Sequence, residues 1–190
     1  MAVTTLDPKT AFIVIDLQNG ILALPTAHPI DEVVTHASAL ADAFRGHGLP
    51  VVLVTVAGGA PGRTEQAPRS AGAGQRPAGW ADLVPELNQQ PDDHTVTKRT
   101  WGAFHETGLN EHLKALGVTQ VVIAGVATSA GVESTARSAH EHGFNVTLAV
   151  DAMTDTNPDA HLNSTTRIFP RLGETGTTQE IIALLDSSRA

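Results

Sequence analysis

Apolar and polar positions alternate in blocks along this chain rather than residue by residue. Residues 11–16, 50–56, 120–124 and 145–151 are short, nearly continuous apolar runs rich in Val and Ile. Such runs predict strands buried on both faces, as in a parallel sheet. A brief strand is predicted at 94–98 and a short sixth one at 174–177. Between them the spacing changes. Val33, Ala37, Leu40, Ala41 and Phe44 recur at helical intervals over 31–47, with Gly46 and Gly48 closing the helix. Leu109, Leu113 and Leu116 mark a second helix stopped by Gly117, and a third follows residue 131 and ends near Gly143. Asn157-Pro158 starts another, with proline early in the helix. Thr177 and Glu180 resemble a capping box ahead of Ile181 and Leu185.

Strand and helix alternate throughout. The expected fold class is therefore α/β, a parallel sheet with helices on both faces. The one long irregular stretch, residues 57–93, is rich in Gly and Pro. It reads as a covering loop with a short helical piece near 80–87. Strands resume directly after it, so residues 1–190 are expected to form a single domain.

Composition narrows the chemistry. Net charge is −8, and the 12 Lys and Arg residues form no basic stripe, which argues against nucleic acid or an anionic membrane as partner. No apolar run reaches the length of a membrane span, and the N-terminus carries no signal-peptide pattern, so a cytoplasmic protein is expected. There is no cysteine. That excludes disulfides, zinc–thiolate sites and a thiol nucleophile. Nine histidines show no His-Glu-x-x-His pairing, and neither a metal nor another cofactor is expected.

In an open parallel sheet, ligands bind at the carboxyl ends of the strands. Asp16 ends the first predicted strand, Lys98 the third, and the small-residue turn Gly125 to Gly131 follows the fourth. A carboxylate and an ammonium meeting there can exchange protons with a substrate. Backbone N–H groups gathered where a helix begins suit an anion. Plain alternatives exist for each: a capping carboxylate, a solvated edge lysine, and close helix–strand packing.

The segments Val14 to Asn19, Thr97 to Phe104, Gly125 to Thr128 and Val132 to Ala136 together resemble the isochorismatase-like, or cysteine hydrolase, superfamily. The resemblance covers essentially the whole chain. It implies a Rossmann-like three-layer α/β/α sandwich around a six-stranded parallel sheet, a cis peptide at Val126–Ala127, and a homo-oligomer acting on a small-molecule substrate. It also implies a catalytic Asp, Lys and Cys. Asp16 and Lys98 match the first two, but the Cys place holds Gly131.

The isochorismatases proper are similar in lacking a working Cys there. They hydrolyse a vinyl ether, with the Asp as acid and base and the Lys orienting it. The resemblance thus implies a hydrolase working through Asp16 and Lys98 without a thiol, on a vinyl ether such as isochorismate. Hydroxyls at Thr128 and Ser129 lie near the missing nucleophile but would need separate activation. Candidate substrate contacts are Gln18, Arg63, Gln66, Trp80, Trp101, Phe104, Val126, Ala127 and Ser129. Isochorismatases also resemble one another in a Tyr in the fourth-strand turn, where this chain has Ala127 and no Tyr anywhere. The alternatives are a catalytically silent, ligand-binding or scaffolding relative, and a native Cys replaced by Gly131.

Overall fold

The computed structural model describes residues 3–60, 62, 63, 65 and 76–188. Six strands form one sheet: β1 (Thr10–Ile15), β2 (Val51–Val56), β3 (His94–Lys98), β4 (Gln120–Val126), β5 (Asn145–Thr154) and β6 (Glu174–Gly176). Their order is β3-β2-β1-β4-β5-β6, and every pairing is parallel. The helices are α1 (Asn19–Leu22), α2 (Ile30–Gly46), α3 (Leu109–Ala115), α4 (Glu133–Glu141), α5 (Pro158–Asn163) and α6 (Thr178–Ser188).

The pleat divides each apolar run between two cores. Phe12 and Val14 of β1 join Leu40 and Phe44 of α2 and Ile181 and Leu185 of α6 on one face. Ala11, Ile13 and Ile15 face the other way, among Leu109 and Leu113 of α3 and Ala136 and Ala139 of α4. All six residues of β1 are buried. This is why β1 and its neighbours read as nearly continuous apolar runs: both faces are covered, and the buried polar residues at their starts are hydrogen-bonded, as Thr10 Oγ1 is to Gln120 Oε1 at 3.1 Å.

Three expectations needed adjustment. Strands β4 and β5 extend beyond the predicted residues 124 and 151, to Val126 and Thr154. Asp151 looked like a strand end, but its Oδ1 accepts from the Thr178 N–H at 2.8 Å and the Thr178 hydroxyl at 2.9 Å, tying α6 to the sheet. The helical piece at 80–87 reduces to a 3-10 turn, Pro85–Leu87, where proline supplies no N–H for a longer helix. The single-turn helix α1 is too short for periodicity to reveal. The capping box forms: Glu180 Oε2 accepts from the Thr177 N–H at 2.8 Å, and Thr177 Oγ1 accepts from the Glu180 N–H at 3.3 Å.

Candidate active site

Strand β1 pairs with β2 on one side and β4 on the other, so the chain reverses its direction of travel across the sheet at β1 and β4. The carboxyl ends of these two strands form the crevice in which this architecture binds ligands. Asp16 leaves β1 there in a left-handed conformation, φ 52°. Asp adopts this region more readily than most residues, and such positions gather at functional sites. Gly125 lies opposite on β4 at φ +116°, and a Cβ on it would stand 2.0 Å from the Ile15 carbonyl oxygen. Only glycine lets β4 approach β1 this closely beside Asp16.

Lys98 ends β3, two strands away. Its stem runs inward across the end of β2, and its Nζ donates to Asp16 Oδ2 at 2.6 Å and to the Thr100 carbonyl at 3.3 Å. Asp16 is 5% exposed and Lys98 2%, so the solvated-edge reading of Lys98 fails. Asp16 Oδ1 is buried and accepts no hydrogen bond among the described residues. Burial raises the Asp16 pKa from 3.8 to about 6, against the downward pull of the Lys98 ammonium and its hydrogen bond. Desolvation outweighs the paired charge, which leaves a carboxyl group poised to carry a proton near neutrality.

Gly131 completes the convergence. A Cβ on it would sit 3.5 Å from Asp16 Oδ2, 3.4 Å from the Val126 carbonyl and 3.0 Å from Ile15 Cγ2. The residue lies in a π-type turn, Thr128–Val132, that leads into α4. The Val126–Ala127 peptide preceding it is cis. The Ala127 carbonyl accepts from the N–H groups of Ala130 at 3.1 Å and Val132 at 3.2 Å.

The remaining candidates divide by position. Gln18 is wholly buried, and its amide is spent on framing the site: Oε1 accepts from the Val56 N–H at 2.7 Å, and Nε2 donates to the carbonyls of Val56 and Trp80. The Trp80 ring lies against Gly20, where a Cβ would meet its Nε1 at 2.0 Å, and the Arg76 guanidinium stacks on it at 4.0 Å. Phe104 packs in the core, 6.0 Å between centroids from Phe144. Trp101 is 61% exposed, and Arg63 is also exposed. Val126 is buried and Ala127 half-buried. Ser129 directs both its N–H and its hydroxyl to Asp155 Oδ2, each at 2.8 Å. Gln66 lies outside the described residues.

Sequence reasoning did not single out Asp155, His161 or Thr135. Asp155 stands one residue beyond the true end of β5, on the same sheet edge as Asp16. Ending β5 at residue 151 hid that signal. Thr135 Oγ1 donates to the Gly131 carbonyl at 2.7 Å and accepts from the Ala103 N–H at 3.1 Å, joining the turn to the loop after Lys98. Among the described residues no group of three or more His, Cys, Asp or Glu side chains could hold a metal ion, and no helix is long and apolar enough to cross a membrane.

The sequence profile of the isochorismatase domain matches residues 10–180. The chain belongs to the isochorismatase family. It is 42% identical over 181 residues to the isochorismatase family protein YwoC of Bacillus subtilis, covering 92% of this chain and 93% of that one. The solved structure of an isochorismatase family protein from Burkholderia thailandensis superimposes with a TM-score of 0.91 at 38% identity, covering 97% of this chain and all of that one. The ureidoacrylate amidohydrolase RutB of Pseudomonas savastanoi is 28% identical, covering 80% of this chain and 73% of that protein. The chain is thus a hydrolase of the isochorismatase family.

Proposed function

We propose that this hydrolase cleaves a small vinyl ether by acid–base chemistry at Asp16 and Lys98, without a covalent enzyme intermediate. One observation carries the reading. In a chain that has no thiol, the buried Asp16–Lys98 pair sets Asp16 Oδ2 beside Gly131, and Asp16 Oδ1 accepts no hydrogen bond among the described residues.

The chemistry follows from what a vinyl ether needs. The Asp16 carboxyl proton passes to the terminal alkene carbon, forming a C–H bond and an oxocarbenium ion. Water then adds to the cationic carbon while the Asp16 carboxylate takes up its proton. As the hemiketal C–O bond breaks, the Asp16 carboxyl gives its proton to the departing alcohol oxygen and the carboxylate takes up the hemiketal hydroxyl proton, so the C=O forms and Asp16 ends protonated as it began. The sum is addition of one water, releasing a ketone and an alcohol. Lys98 steadies the carboxylate between these steps. The raised Asp16 pKa keeps part of the population protonated near neutral pH. Gly131 offers the substrate room that a larger side chain would occupy. The backbone N–H groups of Ala127 and Gly131 are suited to receive a carboxylate or a developing oxyanion.

A panel of vinyl ethers including isochorismate, amides and esters, run on wild type and Asp16→Ala, tests this. The expected result is ketone release from a vinyl ether by wild type only, with both proteins folded by circular dichroism. Equal turnover by Asp16→Ala overturns it. If nothing in the panel is turned over while a panel member raises the melting temperature, a ligand-binding role replaces the catalytic one.

A further inference from the structure

The turn that carries Gly131 is not held by its own hydrogen bonds alone. A π-type turn is wide, and its geometry is less favourable than that of an α-helix. Two side chains from the segment after β5 grip it from outside. Asp155, 3% exposed, takes the Ser129 N–H and hydroxyl on Oδ2, and the Asn157 N–H on Oδ1 at 3.1 Å. Its own carbonyl accepts from the Ala27 N–H at 2.8 Å, anchoring it to the chain ahead of α2. His161, on α5, lies with Nδ1 2.9 Å from the wholly buried Thr128 hydroxyl. The His28 ring backs it at 4.5 Å between centroids, and His28 Nδ1 is itself 3.0 Å from Thr154 Oγ1. Consecutive residues of the turn, Thr128 and Ser129, are therefore each tied to a different point of the 155–161 segment. The next residue but one is Gly131, against the Asp16 carboxylate.

We infer that Asp155 and His161 are positioning residues, a two-point clamp that sets Gly131 and the turn's backbone against Asp16. Neither side chain contacts Asp16 or Lys98 among the hydrogen bonds of the described residues, so any effect they have on the reacting groups passes through the turn. A buried carboxylate is costly, and here its cost is offset by three donors, two of them from one residue of this turn. The inference rests on the reading of Asp16 as the reacting acid, but its principal test does not need turnover.

The test follows the Asp16 carboxyl carbon by 13C NMR over a pH titration, assigned by its loss in Asp16→Asn. Asp155→Ala and His161→Ala are expected to loosen the turn and admit water to Asp16. Its titration midpoint should then fall toward the ordinary Asp value by roughly one pH unit or more. Asp155→Asn, which keeps one acceptor for Ser129, should restore most of the wild-type midpoint. On a vinyl ether that wild type hydrolyses, the clamp variants should lose kcat by up to about 100-fold, with KM moving far less. A lowered melting temperature with the Asp16 midpoint unmoved overturns the inference, because that is what a merely structural role gives. If Asp155→Ala does not fold, His161→Ala, which removes the Thr128 arm of the clamp, is read by the same criterion. Failure of the vinyl-ether reading would instead appear as unchanged turnover in Asp16→Ala, whatever the midpoint does.

Discussion

Two cation–carboxylate pairs lie at opposite edges of the sheet, and they are built differently. Arg45, in the last turn of α2, meets Asp93 just before β3. Its Nε donates to Oδ1 at 3.1 Å and one terminal nitrogen to Oδ2 at 2.8 Å. Asp93 also accepts the Gln90 N–H at 2.8 Å, and Arg45 also reaches the Leu87 carbonyl and Asp42. Both carboxylate oxygens and all three guanidinium nitrogens have partners. At the other edge, Lys98 meets a single oxygen of Asp16, and the second has no partner among the described residues. The first pair is saturated and bidentate, the geometry that makes a staple. The second, among the described residues, is buried more completely and satisfied less, which costs stability. On the proposed function, what separates the structural pair from the reacting one is the number of hydrogen bonds left unmade among the described residues.

Exchanging the cations breaks the comparison most sharply. Lys98→Met keeps the stem's volume but removes the charge, and turnover should fall by about 10²- to 10⁴-fold. Thermal stability should fall too, by up to about 3–5 kcal/mol where Asp16 is ionised, because the carboxylate is left buried without its counter-charge. Arg45→Met should also cost stability, about 1–3 kcal/mol in a denaturant titration, but leave turnover at wild-type level. Loss of activity in Arg45→Met at unchanged stability would erase the distinction.

The pH dependence of stability sharpens it further. Folded Asp16 holds its proton up to about 6, whereas an unfolded Asp releases it near 3.8. Between those values the folded state binds the extra proton, so this group's contribution is fully present at low pH and is lost as pH rises through the window. Two units correspond to about 3 kcal/mol. The difference in unfolding free energy between wild type and Asp16→Asn, followed from pH 3 to 8, should slope downward across that window and be flat above it. The smallest effect belongs to the half-exposed pair on α4, where Arg137 reaches Glu133 at 2.9 Å. Arg137→Ala should change stability by no more than about 0.5 kcal/mol.

Much of the site was legible along the chain because it stands where local patterns end. Asp16 ends an apolar run and Lys98 ends the predicted third strand, and parallel sheets bind ligands at that edge. Gly131 stood out because the surrounding residues matched a known arrangement and the reacting atom did not. Other assignments depended on contacts that no local pattern encodes. Gln18 sits one turn beyond Asp16 and looked available to a substrate, yet its amide is spent on β2 and on Trp80. Phe104, an aromatic near Lys98, turned inward to Phe144 rather than toward the site. Ser129 looked like a free hydroxyl and is bound to a carboxylate 26 residues away.

By itself, then, the sequence determined the alternation of strand and helix, the buried character of the strands, the edge at which chemistry would gather, and the absence of a thiol. These follow from periodicity, from composition and from the direction of parallel strands, all of which are written locally. Tertiary structure alone decided that β1 lies between β2 and β4, that Lys98 spans a neighbouring strand to reach Asp16, that Asp16 Oδ1 has no partner among the described residues, and that Asp155 and His161 bond the turn. Each is a pairing between residues far apart in the chain. A side chain's type limits which partners it can accept, and only the packed fold brings one of them within hydrogen-bond distance.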